Sequence, residues 1–258
     1  MNLFRVRAGE KPSALQAAVG IVLAGAAVIG FFWASISQIA YRPDFGFLAD
    51  FNIRIVDGFA MTLGVSAASL VLSLAVGVLA AAGENARTLV LRYLSRGYVV
   101  FIRGTPLIMQ IYLFFYLVGT AWGVENRFWA GVIILSIFEG AFIAEIIRGS
   151  YASLERTQLE AAQAVGFSPL QTLRYVVVPQ MTARTLPALS GQLASMIKES
   201  SLLSMISLFE LTQTMREISA VNLKLLESYL FLGVLYLALT IPVAIASKLL
   251  ERRFSYEA

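Results

Sequence analysis

Six long apolar stretches, at residues 15–37, 58–82, 98–122, 128–147, 186–208 and 229–250, leave this chain few folds to choose from. Crossing about 30 Å of hydrocarbon takes roughly 20 mostly apolar residues in a helix, which alone among open elements satisfies its own backbone N–H and C=O groups in lipid. The expected fold class is therefore all-α, a polytopic membrane protein of about six transmembrane helices.

Composition agrees. Of 258 residues, 58% are hydrophobic and 14% charged, far below the charged share of about 25% that a soluble domain carries. There is no Cys and no His, which removes thiol chemistry, disulfides and the usual zinc ligands. The net charge of +4 does not mark a nucleic-acid binder, because the basic residues stand singly between apolar spans. The first stretch follows Arg5, Arg7 and Lys11 like a signal peptide, yet its 23 uncharged residues exceed an h-region of roughly 7–15, so it is read as a retained helix.

Orientation follows from Lys and Arg. With the N-terminus inside, thirteen basic residues fall on cytoplasmic segments and five (Arg42, Arg54, Arg127, Arg216 and Lys224) on outer ones. Both termini are then cytoplasmic, and so is the polar stretch 157–179, TQLEAAQAVGFSPLQTLRYVVVP. Thr157 is expected to cap a first short helix in a capping box with Glu160. Gly166 should end it in a left-handed conformation, after which Ser168 caps a second helix with Pro169 at its first position. Ala161 and Ala162 leave so little side chain that a partner's surface could approach the backbone closely.

The spacing Glu160, Ala161, Ala162, Gly166 and Pro179 resembles the EAA loop of importer-type ABC transporter permeases. Its flanks are similar to the polar amino-acid (histidine, glutamine, arginine and opine type) branch of that family: Arg103-Gly-Thr-Pro-Leu with Gln110, Ala144-Glu-Ile-Ile-Arg-Gly, and Lys198-Glu-Ser-Ser-Leu-Leu. The resemblance covers about 58–250 and implies a type I ABC importer fold, with a cytoplasmic coupling-helix hairpin at 155–180. The domain plan is residues 1–57, a tail, an extra helix and an outer loop, followed by a five-helix core at 58–258. Thr157 stands where the family usually has Gly, Glu199 where it has Asp, and Ser190-Gly191 where an Asn is common.

The resemblance further implies a permease subunit moving polar amino acids or close derivatives inward across a bacterial inner membrane. Its expected partners are two ATP-binding-cassette ATPase subunits, a second permease subunit, identical or homologous, an extracytoplasmic solute-binding protein, the amino-acid-like substrate and membrane lipid. No phosphate-binding Gly-x-x-x-x-Gly-Lys-Ser/Thr loop occurs, so ATP and Mg belong on the partner ATPase; no cofactor, metal or catalytic residue is assigned here.

Several residues at membrane depth are candidates for the substrate pathway, each with a structural alternative. Thr62, Ser66, Ser69 and Ser73 share one helical stripe, which serves helix packing unless Thr62, nearest the outer mouth, meets cargo. Arg103, Gly104, Thr105 and Gln110 surround a helix interruption at Pro106, where freed N–H groups could face an anion; Arg103 could equally snorkel to headgroups. Glu145 can pair with Arg148 one turn on. Gln192, Ser195 and Glu199 line one stripe of the fifth span, and Lys198 diverges from Glu199 by about 100°. Ser200 completes the pathway set through the resemblance. Glu199 is expected to meet the substrate's ammonium, with a structural pair to Arg103 as the competing account. A membrane-embedded enzyme lacks a nucleophile motif here, and a gradient-driven transporter or channel for small zwitterions leaves the 157–179 stretch without a use.

Overall fold

The computed structural model describes residues 13–38 and 41–254. The chain divides into two compact units between Phe45 and Gly46. The first holds one helix, α1 (Ala14–Gln38), long and apolar enough to cross a membrane. Residues 1–12 and both positions 39–40, which include the basic residues ahead of the first span, lie outside the described residues.

The second unit is helical throughout, with no strand among the described residues. In chain order it contains α2 (Phe47–Asp50), α3 (Asn52–Glu84), α4 (Leu89–Gly104) and α5 (Leu107–Tyr112), which continues as a π-helical stretch Leu113–Gly119. There follow α6 (Arg127–Ala152), α7 (Arg156–Ala164) and α8 (Pro169–Thr172), the last running through a π-helical stretch Leu173–Val177 into α9 (Val178–Glu199). A 3-10 stretch Ser200–Ile206 leads to α10 (Leu211–Asn222) and α11 (Leu225–Phe254).

The seam between α3 and α6 is the spine of this unit. Small residues let the backbones meet: a Cβ on Gly77 would stand 2.5 Å from Ile143 Cγ2, and one on Gly140 2.6 Å from Val76 Cγ1. The hydroxyl stripe Thr62, Ser66, Ser69 and Ser73 is buried; Ser136 Oγ on α6 donates to the Ser69 carbonyl at 3.2 Å, while Thr62 meets the start of α10. Close approach and hydroxyl hydrogen bonds of this kind hold transmembrane helices together. Val65, Leu135, Ile102 and Ile111 fill the core around it.

Two of the six expected spans are not simple helices. Among the described residues four helices are long and apolar enough to span, five if a bent pair counts as one. That pair replaces the expected third span, 98–122: Leu89–Gly104 and Leu107–Gly119 meet at 115°, because Pro106 breaks the helical ladder. The expected fifth span, 186–208, is instead a helix that starts at Val178 and stops at Glu199, after which the chain turns back at Ser207 (φ 54°). Arg184, Lys198 and Glu199, together with Gln180 and Gln192, make this helix more polar than the other spans.

The reversal is held by polar contacts. Glu210 caps α10, its carboxylate accepting from Thr212 N at 2.8 Å, Gln213 N at 2.7 Å and Tyr236 OH at 3.0 Å. The first N–H of α10, on Leu211, donates to Thr62 Oγ1 at 3.0 Å. These bonds tie α10 to α3 and to the middle of α11. A second core of Phe47, Ile55, Ile197, Met215 and Leu232 packs beneath.

Candidate functional site

Between α6 and α9 the chain forms an exposed helical hairpin. The helix α7 starts at Arg156, one residue before the expected cap; Glu155 is its N-cap without a side-chain bond, and Thr157 Oγ1 lies 3.4 Å from Glu155 Oε2. The expected Thr157–Glu160 capping box is therefore absent, and Glu160 stands exposed. The stop at Gly166 is as expected, with φ +80°. Phe167 N donates to the Ala162 carbonyl at 3.0 Å and Gly166 N to that of Gln163 at 2.9 Å, the paired bonds of a Schellman end. Ser168 caps the next helix with Pro169 at its first position, and Gln171 completes a capping box. Ala162 is buried within the hairpin, whereas Glu160, Ala161, Gly166 and Pro179 face outward.

Side chains bind this hairpin to α9 and clamp α9 to the end of α6 at its base. Gln180 Nε2 donates to Gln158 Oε1. Arg184, on α9, donates to the carbonyl of Ser153 and at 2.6 Å to its Oγ. Thr185 Oγ1 bonds Ser150 Oγ at 2.9 Å. None of these pairings could be foreseen, since partners 20 or more positions apart show no local spacing signal.

The other candidates fall into three groups. Glu145 bonds Arg148, Nε to Oε2 at 2.9 Å, and lies 3.5 Å from Arg103 Nη1, whose guanidinium also sits over the Phe142 ring. The Glu145–Arg148 pair is thus formed, and within the chain Arg103 pairs with Glu145 rather than Glu199. At the interruption, Gln110 is buried and bonds Ile102 O and Thr105 Oγ1, each at 2.8 Å; Gly104 closes α4. Thr62 is fully buried and engaged as described above.

On α9, Gln192 Nε2 donates to Glu139 Oε2, and the carboxyl of Glu199 neighbours that of Glu139. Glu139 Oε1 and Glu199 Oε2 are buried without a donor. Lys198 is exposed beside them, so the two neighbours do diverge. Ser200 is buried, its Oγ donating to the Ile197 carbonyl at 2.7 Å. Glu139 belongs to this cluster through its bond to Gln192. Past the interruption at Pro106, the rings of Tyr112 and Tyr116 stack at 5.4 Å and both hydroxyls reach Met205.

The comparisons with known proteins agree with one another. The pattern of the family described as binding-protein-dependent transport system inner membrane component matches residues 73–256. The probable glutamine ABC transporter permease protein GlnM of Bacillus subtilis (strain 168) is 33% identical over 198 residues, 77% of this chain and 92% of that protein. The glutamine transport system permease protein GlnP of Escherichia coli (strain K12) is 33% identical over 201 residues, with the same coverage of 77% and 92%. A solved structure described as an amino acid ABC transporter with histidines has a TM-score of 0.77 at 29% identity and covers 83% of this chain and 100% of its own. The inward-facing MetNI methionine ABC transporter, at 19% identity, shares the fold with a TM-score of 0.67.

Proposed function

The chain belongs to the binding-protein-dependent transport system inner membrane components, and from that premise we propose that this ABC importer permease subunit carries polar amino acids into the cytoplasm. The observation that supports a coupling role is the exposed hairpin of α7 and α8, which is bonded to α9 through Gln158 and Gln180 and leaves the membrane unit where Arg184 and Thr185 clamp α9 to the end of α6. A partner ATPase docking on Glu160, Ala161 and Gly166 would pull on two helices of the membrane unit at once. ATP binding and hydrolysis belong to two copies of that ATPase, each with Mg, and a second permease subunit completes the pathway. A solute-binding protein delivers cargo at the outer face. Both termini and the hairpin lie in the cytoplasm.

The cargo class rests on the named substrates of the relatives and on the ionisable groups of the pathway. A zwitterion leaving water needs both of its charges matched. We assign its ammonium to Glu199, whose Oε2 has no donor within the chain. Reconstitution in vesicles with the ATPase and a glutamine-type binding protein tests the whole reading. ATP-dependent, protonophore-resistant uptake of a polar amino acid supports it; uptake driven by an ion gradient without ATP would make the chain a gradient-driven transporter or channel instead.

A further inference from the structure

Ile102 stands four residues before Pro106, so the N–H that would close its helical hydrogen bond does not exist. The residue before the proline, Thr105, is driven into extended backbone (φ −126°, ψ 148°), and the two helical arms part at 115°. Such a corner orphans carbonyls, and Ile102 is 1% exposed, beyond the reach of water. Gln110, itself 0% exposed, repairs the break: its Nε2 lies 2.8 Å from Ile102 O, 3.2 Å from Thr105 O and 2.8 Å from Thr105 Oγ1. Three oxygens around one amide terminus fix its nitrogen on that side, where its two N–H groups reach from α5 back across the corner to the end of α4. Thr105 Oγ1 passes the chain on by donating to Phe101 O at 2.8 Å.

Both arms of the corner are anchored. Tyr98 OH donates to the Ile137 carbonyl at 2.6 Å and Arg103 pairs with Glu145, which fasten α4 to α6. Beyond the corner, Leu107 and Ile111 enter the main core, and Tyr116 OH reaches the Met205 carbonyl at 3.2 Å.

We propose that Gln110 is a positioning residue: its amide stands in for the N–H that Pro106 lacks, fixing the angle of the broken span and so the place of Tyr112 and Tyr116 against the chain reversal at 200–207. The break is then a rigid corner, and Gln110 acts through its donor rather than by touching cargo. Transport enters the test through the permease reading, but the geometry is measured independently of it.

The chain has no native Cys, so spin labels on cysteines placed at the exposed positions Tyr93 and Leu117 report one interspin distance across the corner. In the full-length protein in vesicles, Gln110→Leu should broaden or shift that distance and, with the ATPase and binding protein present, reduce uptake roughly tenfold or more. Adding Pro106→Ala to Gln110→Leu restores a backbone donor to Ile102; yield and Tm should recover while the distance moves toward a straighter span. A Gln110→Leu protein with the native distance overturns the proposal. So does one that fails to fold and is not recovered by Pro106→Ala, since the orphaned carbonyl is then not the cause. A disturbed distance in Gln110→Leu upholds it even if no transport substrate is found.

Discussion

The guanidinium of Arg184, near the start of α9, donates to both the carbonyl and the hydroxyl of Ser153, the residue that closes α6. One side chain thus ties the end of one helix to the base of another, and the hairpin between them has to move with both. Charge-assisted bonds of this kind are worth about 1.5–3 kcal/mol when water is excluded and less at a half-exposed site such as this. Arg184→Met should therefore insert and fold with little loss of Tm, yet show reduced cargo-stimulated ATP hydrolysis by the partner. Stimulation equal to that of the native protein would separate Arg184 from coupling.

The hairpin turn offers a sharper probe. Gly166 sits at φ +80°, where any L side chain is strained by roughly 1–2 kcal/mol and proline cannot go at all. Nothing lies within 4 Å of a Cβ built there, so the penalty is backbone strain alone. Gly166→Ala should lower coupling modestly and Gly166→Pro should abolish it, with the membrane unit still folded by circular dichroism. Glu160→Lys, a charge reversal on the exposed face of α7, should weaken ATPase binding in a pull-down without altering Tm.

The seam between α3 and α6 predicts a stability contrast. Gly77→Val would drive a side chain into Ile143 and cost about 1–3 kcal/mol or more in Tm-based stability, since packed helices have no slack. Gly191, in α9, has nothing within 4 Å of its would-be Cβ; Gly191→Ala should be neutral or stabilise by up to about 1 kcal/mol. Thermal unfolding in detergent compares the two directly, and equal effects would mean the seam is looser than drawn.

What could be read ahead from residues was local. Gly166, Ser168 and Pro169 announce their conformations because each acts within one turn of itself, and the hydroxyl stripe from Thr62 to Ser73 announces its face by periodicity. The Thr157 cap failed because Glu155, two positions earlier, took the boundary, a competition between neighbouring cap-forming residues that propensity does not settle. The fifth span failed for a tertiary reason. Just past its reversal at Ser207 the chain is held by Thr62, which accepts from Leu211 N, and by Tyr236, which donates to Glu210, partners too distant in sequence to foresee. Within the candidate site, the Arg-Gly-Thr-Pro break was visible while its repair by Gln110 was not, since the sequence shows the missing N–H but not which side chain replaces it.

Orientation is testable by labelling. Cysteines at Asn126 and Leu223 should react with an impermeant thiol reagent from outside, and one at the exposed Gln163 only from inside; the native chain has no Cys to add background. Labelling of position 163 from outside would reverse the topology and remove the hairpin from any ATPase.

Glu199 carries the most divided expectation. Its Oε2 and Glu139 Oε1 are both buried without a donor, while the two carboxyls are neighbours and Gln192 supplies only Glu139 Oε2. Glu199→Gln is nearly isosteric and adds an amide N–H at this spot, so Tm should hold or rise. Glu199→Leu removes every hydrogen-bonding atom and leaves Glu139 Oε1 no better served; an unpaired buried polar group costs about 1–3 kcal/mol, so this variant should not exceed Glu199→Gln in Tm. Function then separates the two uses. A cargo ammonium needs the negative charge that Gln lacks, so Glu199→Gln should assemble normally and hydrolyse ATP at the basal rate but respond weakly to loaded binding protein. If Glu199→Gln instead keeps full stimulation with a raised Tm, the pair only braces α6 against α9, and the ammonium is met elsewhere along the pathway.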